Sequence, residues 1–154
     1  MVDVRPLYDP VLVRHARAPR LRAPPPAGAT TFDGLNRTCG DRVHLHLAGD
    51  PLVARFEGEG CALSLGAASA LCEAIDSQSP AAALAIVQAY RDALNTPAAA
   101  PAPPGLAGDL AYFLAVRAFP ARLPCVSLAA DTLAAALAAA APSASPPHPE
   151  RGPA

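Results

Sequence analysis

One residue in four is alanine, 38 of 154, and that share limits what the chain can bury. An alanine side chain carries a single methyl, worth about 0.8 kcal/mol when removed from water. The 52% apolar content therefore overstates the core, since aromatic residues are 5% and tryptophan is absent. One modest core in one domain is the expectation. Nineteen prolines and ten glycines punctuate the chain. Proline-rich stretches at 23–31 and 97–105 read as linkers, and 142–154 as a disordered Pro/Ser-rich tail after a domain spanning 1–141.

Hydrophobic periodicity supplies the elements between these breaks. Leu7, Val11, Leu12 and Val13 predict an amphipathic helix over 7–17, with Pro10 in its first turn. Val43, Leu45 and Leu47 alternate with His44 and His46, a half-buried strand pattern. Gly49-Asp50-Pro51 is a turn, and 52–56 returns as a second strand, making an antiparallel hairpin. Gly58 and Gly60, on either side of Glu59, permit a bend and close backbone approach. Helices follow over 63–75 and from Pro80 to about Leu94, the second capped by Ser79. A further helix is expected at 110–116, broken at Phe119-Pro120. A last alanine-rich helix is expected to run to about Ala140, with Ser127 as its cap. Two or three early strands and late helices make an α+β fold, a small antiparallel sheet with helices on one side.

Charge narrows the partners. Thirteen acids face twelve bases for a net charge of −1, and every base is arginine. No basic run supports nucleic-acid binding. Asp3, Arg5 and Asp9 stand where a signal peptide would be apolar, and the 128–141 run, interrupted by Asp131, reads as unable to span a bilayer. A cytoplasmic chain with no membrane partner is the expectation. The carboxylate pair of a glycosidase, a GxSxG elbow and a phosphate-binding loop are all absent from the sequence.

In a reducing compartment, cysteines point to metal binding or thiol chemistry rather than to disulfides. The four here, Cys39, Cys61, Cys72 and Cys125, lack the spacing of a zinc ribbon. Folding the hairpin brings the start of its first strand beside the end of its second, so Cys39, Asp41 and Cys61 meet at one end of the sheet. Cys125 must arrive from a distance. Three thiolates and a carboxylate suit Zn²⁺ or an iron–sulfur cluster. Around Zn²⁺ they sum to −2, and Arg122 is the nearby cation. The carboxylate is the harder, weaker partner, so one position is open to exchange and a thiolate can be freed. On spacing alone the alternative is four packed, inert thiols. Cys72, between Leu71 and Glu73 on a helix, reads as a packed thiol. His44 and His46 read as a solvated outer face, His15 as a helix-packing or surface residue, His148 as part of the tail, and Glu57 and Glu59 as exposed acids.

Four stretches carry a resemblance: Leu7-Tyr8 to Pro19-Arg20, Thr38-Cys39-Gly40-Asp41, Gly58-Glu59-Gly60-Cys61, and Phe119-Pro120-Ala121-Arg122 to Cys125. In this order they resemble the SufU branch of the IscU/NifU-like iron–sulfur assembly proteins, from about Leu7 to Ala140. The long run between Cys61 and Cys125 is similar to the insertion of SufU members. The resemblance implies Cys39, Asp41, Cys61 and Cys125 as zinc ligands, with Cys39 as acceptor of persulfide sulfur from a SufS-type cysteine desulfurase. It implies Arg122 as a supporting residue and downstream iron–sulfur assembly proteins as further partners. The expected function is zinc-dependent sulfur transfer. The alternatives are a scaffold that builds and passes on an iron–sulfur cluster, or a structural zinc adaptor. IscU-type scaffolds place a histidine before the last cysteine; Pro124 stands there, which favours transfer.

Overall fold

The structure, a computed structural model, describes residues 3–140. The tail at 142–154, with His148, lies outside them. Three strands, β1 (Thr30–Leu35), β2 (Arg42–Ala48) and β3 (Val53–Glu59), form an antiparallel sheet in sequence order. Because side chains alternate across a strand, Val43, Leu45 and Leu47 share one face, and pairing sets Gly58, Phe56 and Ala54 opposite them. All six positions are buried. The expected hairpin is present, with β3 reaching past 56 to Glu59. β1 begins inside the stretch read as a linker. The free edge of β3 is covered by the segment around Arg22: the Phe56 amide donates to the Leu21 carbonyl (3.2 Å) and the Ala23 amide to the Phe56 carbonyl (3.1 Å). Covering an edge in this way removes a template for unwanted strand pairing.

Among the described residues five helices complete the fold: α1 (Pro10–Arg17), α2 (Ala62–Ile75), α3 (Pro80–Leu94), α4 (Leu110–Phe113) and α5 (Leu123–Ala140). α2 and α5 lie on the apolar face of the sheet, α3 packs on α5, and α1 packs on α2. Small side chains make this close packing possible: Ala67, Ala68, Ala70, Ala129 and Ala130 are all buried between layers. The alanine share thus builds helix interfaces rather than a large-residue core. A Cβ on Gly34 of β1 would run into Thr132 of α5, so the smallest residue stands where helix and sheet come closest. Ser79 caps α3, its Oγ accepting from the Ala82 amide at 3.1 Å.

Several boundaries differ from expectation, each for a physical reason. Leu7 belongs to a separate 3₁₀ turn, Arg5–Tyr8, because Asp9 caps α1 and Pro10 opens it. The 110–116 helix is one α-turn that tightens into a 3₁₀ stretch, Leu114–Ala118. Ser127 is no cap, since α5 already starts at Leu123 after the 3₁₀ turn Pro120–Arg122. Pro124 sits in the first helical turn, where the missing N–H costs no hydrogen bond. With that turn included, Pro120–Ala140 is by length and composition apolar enough to cross a membrane. Half of it is buried inside the fold, as for a core helix. His46 is also buried rather than solvated, at 2% exposure. It lies between Thr31 and Glu57, its Nδ1 2.8 Å from Thr31 Oγ1 and its Nε2 3.1 Å from Glu57 Oε2. The β1 neighbour that buries it was not expected at that position.

Candidate metal centre

Three chain segments end at the same edge of the sheet. The first is the loop joining β1 to β2. Its mouth is closed by the Asn36 amide donating to the Asp41 carbonyl (2.8 Å), and its tip by the Gly40 amide donating to Asn36 (2.7 Å). Gly40 adopts φ +78°, a conformation glycine tolerates without strain, and presents the exposed Cys39 at the tip. The second is the junction of β3 and α2, where Cys61 is the N-cap of α2 and its Sγ accepts from the Ser64 amide at 3.5 Å. The third is the first turn of α5, which carries Cys125, buried at 4% exposure.

The ligand atoms of Cys39, Asp41 and Cys125 lie within 4.8 Å of one another. Cys61 is not in that mutually close set but touches it, its amide donating to Asp41 Oδ1 at 3.3 Å. Asp41 is buried at 6% exposure, and its other oxygen, Oδ2, accepts from the Ser64 hydroxyl at 2.5 Å. Gly60 completes the fit, because a Cβ there would stand 2.7 Å from the Asp41 carboxyl carbon. Burial opposes ionisation of Asp41, but hydrogen bonds from Ser64, Cys39 and Cys61 together outweigh it and hold the carboxyl below its ordinary range. Burial, a hydrogen bond with Cys61 and the negative charge of Cys61, Cys39 and Asp41 push the Cys125 thiol up to about 11. Two sulfurs and a carboxylate oxygen thus lie close enough to share one metal ion, with the Cys61 sulfur beside them, a donor chemistry compatible with zinc or with an iron–sulfur cluster.

Arg122 is exposed on the turn before α5. With Leu7, Tyr8, Cys61, Ala62 and Leu63 it lines a cleft of about 240 Å³ that opens beside Cys61. Cys72 stands apart: it is fully buried in α2, and burial pushes its thiol up to about 12. His44 is half-exposed and bonds Asp33 at 2.6 Å.

Ser64 is a site residue that sequence reading missed, although its place three positions after Cys61, as in a helix cap, was a usable signal. A second polar cluster surrounds His15, which was expected as a helix-packing or surface residue, but its polar partners were missed. His15 is fully buried, with Nδ1 2.8 Å from Ser69 Oγ and Nε2 2.8 Å from Asp109 Oδ2. Arg14 donates to the same Asp109 oxygen at 2.6 Å, and Glu73 lies within 3.7 Å of both Arg14 and His15. Two arginines, Arg14 and Arg20, stand against the two acids. The cluster is therefore an ion-pair lock joining α1, α2 and the start of α4.

A small antiparallel sheet backed by helices, with cysteines and an acid gathered at one edge, defines a class. The chain belongs to the NifU-like N-terminal domain family, whose model matches residues 7–141, and so to the SufU/IscU/NifU-like iron–sulfur cluster assembly proteins. Among relatives, it is 33% identical over 125 residues to the zinc-dependent sulfurtransferase SufU of Bacillus subtilis (strain 168), covering 79% of this chain and 83% of that protein. Among solved structures, it resembles a candidate iron–sulfur cluster assembly scaffold protein for the SUF system from Fervidobacterium islandicum AW-1. The TM-score is 0.74 at 25% identity, over 85% of this chain and 96% of that one. The N-terminal part of a nitrogen-fixing NifU-like protein from Brucella abortus shares the fold, with TM-score 0.70 at 22% identity, over 86% and 92% of the two chains.

Proposed function

We propose that the chain is a zinc-dependent sulfur acceptor of iron–sulfur cluster assembly. In this reading Cys39, Asp41, Cys61 and Cys125 hold one zinc, and a cysteine desulfurase supplies the sulfur. The observation that carries it is the contrast within the gathered set: Cys125 is buried in the first turn of α5 and Asp41 is buried just before β2, while Cys39 is exposed at a loop tip. When bound, zinc keeps its sulfur ligands deprotonated, the nucleophilic state. Cys39 is the sulfur with an open approach, set at the loop tip by Gly40 at φ +78°. Its thiolate attacks the outer sulfur of a persulfide on the partner: a bond forms from Cys39 Sγ to that sulfur, the partner's S–S bond breaks, and the partner's cysteine leaves as thiolate. No external oxidant or reductant is needed, as in thiol–disulfide exchange. Arg122 supplies positive charge at the rim, suited to an approaching anionic persulfide. The similarity to a zinc-dependent sulfurtransferase supports this reading, and four free thiols accord with a reducing cytoplasm.

The decisive test follows radiolabelled sulfur from a cysteine desulfurase onto the chain. Cys39→Ser is expected to abolish transfer while Cys72→Ser leaves it unchanged; labelling of Cys39→Ser at the normal rate would overturn the assignment. The likeness to a candidate scaffold supports a second reading, cluster assembly. Anaerobic reconstitution with iron and sulfide separates the two. A stable, transferable cluster supports the scaffold, and zinc that resists replacement supports sulfur transfer.

A further inference from the structure

Ser64 binds two of the proposed ligands at once. Its hydroxyl donates to Asp41 Oδ2 at 2.5 Å, and its amide donates to Cys61 Sγ at 3.5 Å. The Cys61 sulfur also lies 3.5 Å from Ser64 Oγ, where the thiol form donates to the hydroxyl. The side chain is buried at 1% exposure, so water does not compete for it. Asp41 is held on its remaining sides by the Cys61 amide on Oδ1 and by the bare Cα of Gly60. The two carboxylate oxygens are held unequally: Oδ2 by a short hydroxyl bond at 2.5 Å, Oδ1 by a longer amide bond at 3.3 Å.

We propose that Ser64 is a positioning residue of the metal centre: its hydroxyl takes Asp41 Oδ2 in a short bond, so that Oδ1, which carries only the longer Cys61 amide bond and keeps a lone pair, is the atom offered to the cation. The inference rests on the reading of this site as a zinc centre. It assigns Asp41 a single-oxygen contact, the arrangement that leaves the acid weaker than its thiolate neighbours and readier to yield its place. Groups that orient metal ligands typically contribute tenfold to a hundredfold in affinity.

The test measures zinc affinity by competition with a chromophoric chelator in the full chain, for the wild type, Ser64→Ala, Ser64→Thr, Asp41→Ala and the Ser64→Ala/Asp41→Ala double variant. Alanine is the better helix former, and far-UV circular dichroism checks that α2 is retained. Ser64→Ala is expected to lose about tenfold to a hundredfold in affinity, and Ser64→Thr, which keeps a hydroxyl, to recover most of it. In the Asp41→Ala background the serine change is expected to cost nothing further. Absorption of the Co²⁺-loaded chain should shift in its d–d bands for Ser64→Ala and not for Ser64→Thr. Wild-type affinity in Ser64→Ala, or an equal loss with and without Asp41, would overturn the positioning role and leave the zinc reading standing. A wild-type chain that binds no zinc would overturn both.

Discussion

Gly60 shows how much a single position carries. Its Cα lies against the Asp41 carboxylate, so a methyl there must displace the acid or strain the β3–α2 junction. Overpacking of this kind costs about 1–3 kcal/mol. Gly60→Ala is expected to lower stability in urea titration by that amount and to weaken zinc binding at least tenfold. Unchanged values on both counts would show that Asp41 is free to move. Sequence reading saw that Gly58 and Gly60 allow a close approach, but not what approaches. That depends on the register setting Arg42 opposite Glu59, which no local pattern specifies. The same limit hid Ser64, whose amide role is local but whose hydroxyl partner lies 23 positions away.

At the level of elements, the hairpin and helices α2 and α3 were legible because alternation, period and caps all agree there. β1 was not, because Thr30 to Leu35 includes Asp33 and Gly34, and its outward Leu35 is 47% exposed. Missing β1 also misplaced His46, whose burial needs Thr31 beside it. The start of α5 was misjudged because Ser127 reads as a cap, yet the helix already opens at Leu123 and its first turn accepts Pro124. The lock between α1, α2 and α4 depends on His15 meeting Asp109, 94 positions later. Asp109→Ala removes the carboxylate shared by His15 Nε2 and Arg14, leaving the buried imidazole nitrogen only the Arg14 guanidinium at 3.0 Å, and losing such a partner costs about 1–3 kcal/mol. That loss is expected in urea denaturation with zinc affinity unchanged. Full stability in the variant would show that the cluster is not a lock.

Across the molecule, the proposed centre is where the sheet, α2 and α5 are tied at one edge, in a fold whose helix interfaces are largely alanine. That Cys39 and Asp41 lie together beside Cys61 was legible from hairpin geometry, and that Cys125 joins them from a distance was expected from the chemistry of the set; their role as zinc donors is the proposal. The direct measurement is X-ray absorption at the zinc edge on the purified full chain, with Asp41→Ala beside it. The account predicts about three sulfurs at ~2.3 Å and one oxygen at ~2.0–2.2 Å, with the oxygen shell altered in the variant. A shell of nitrogen and oxygen alone, or one indifferent to Asp41, would contradict it.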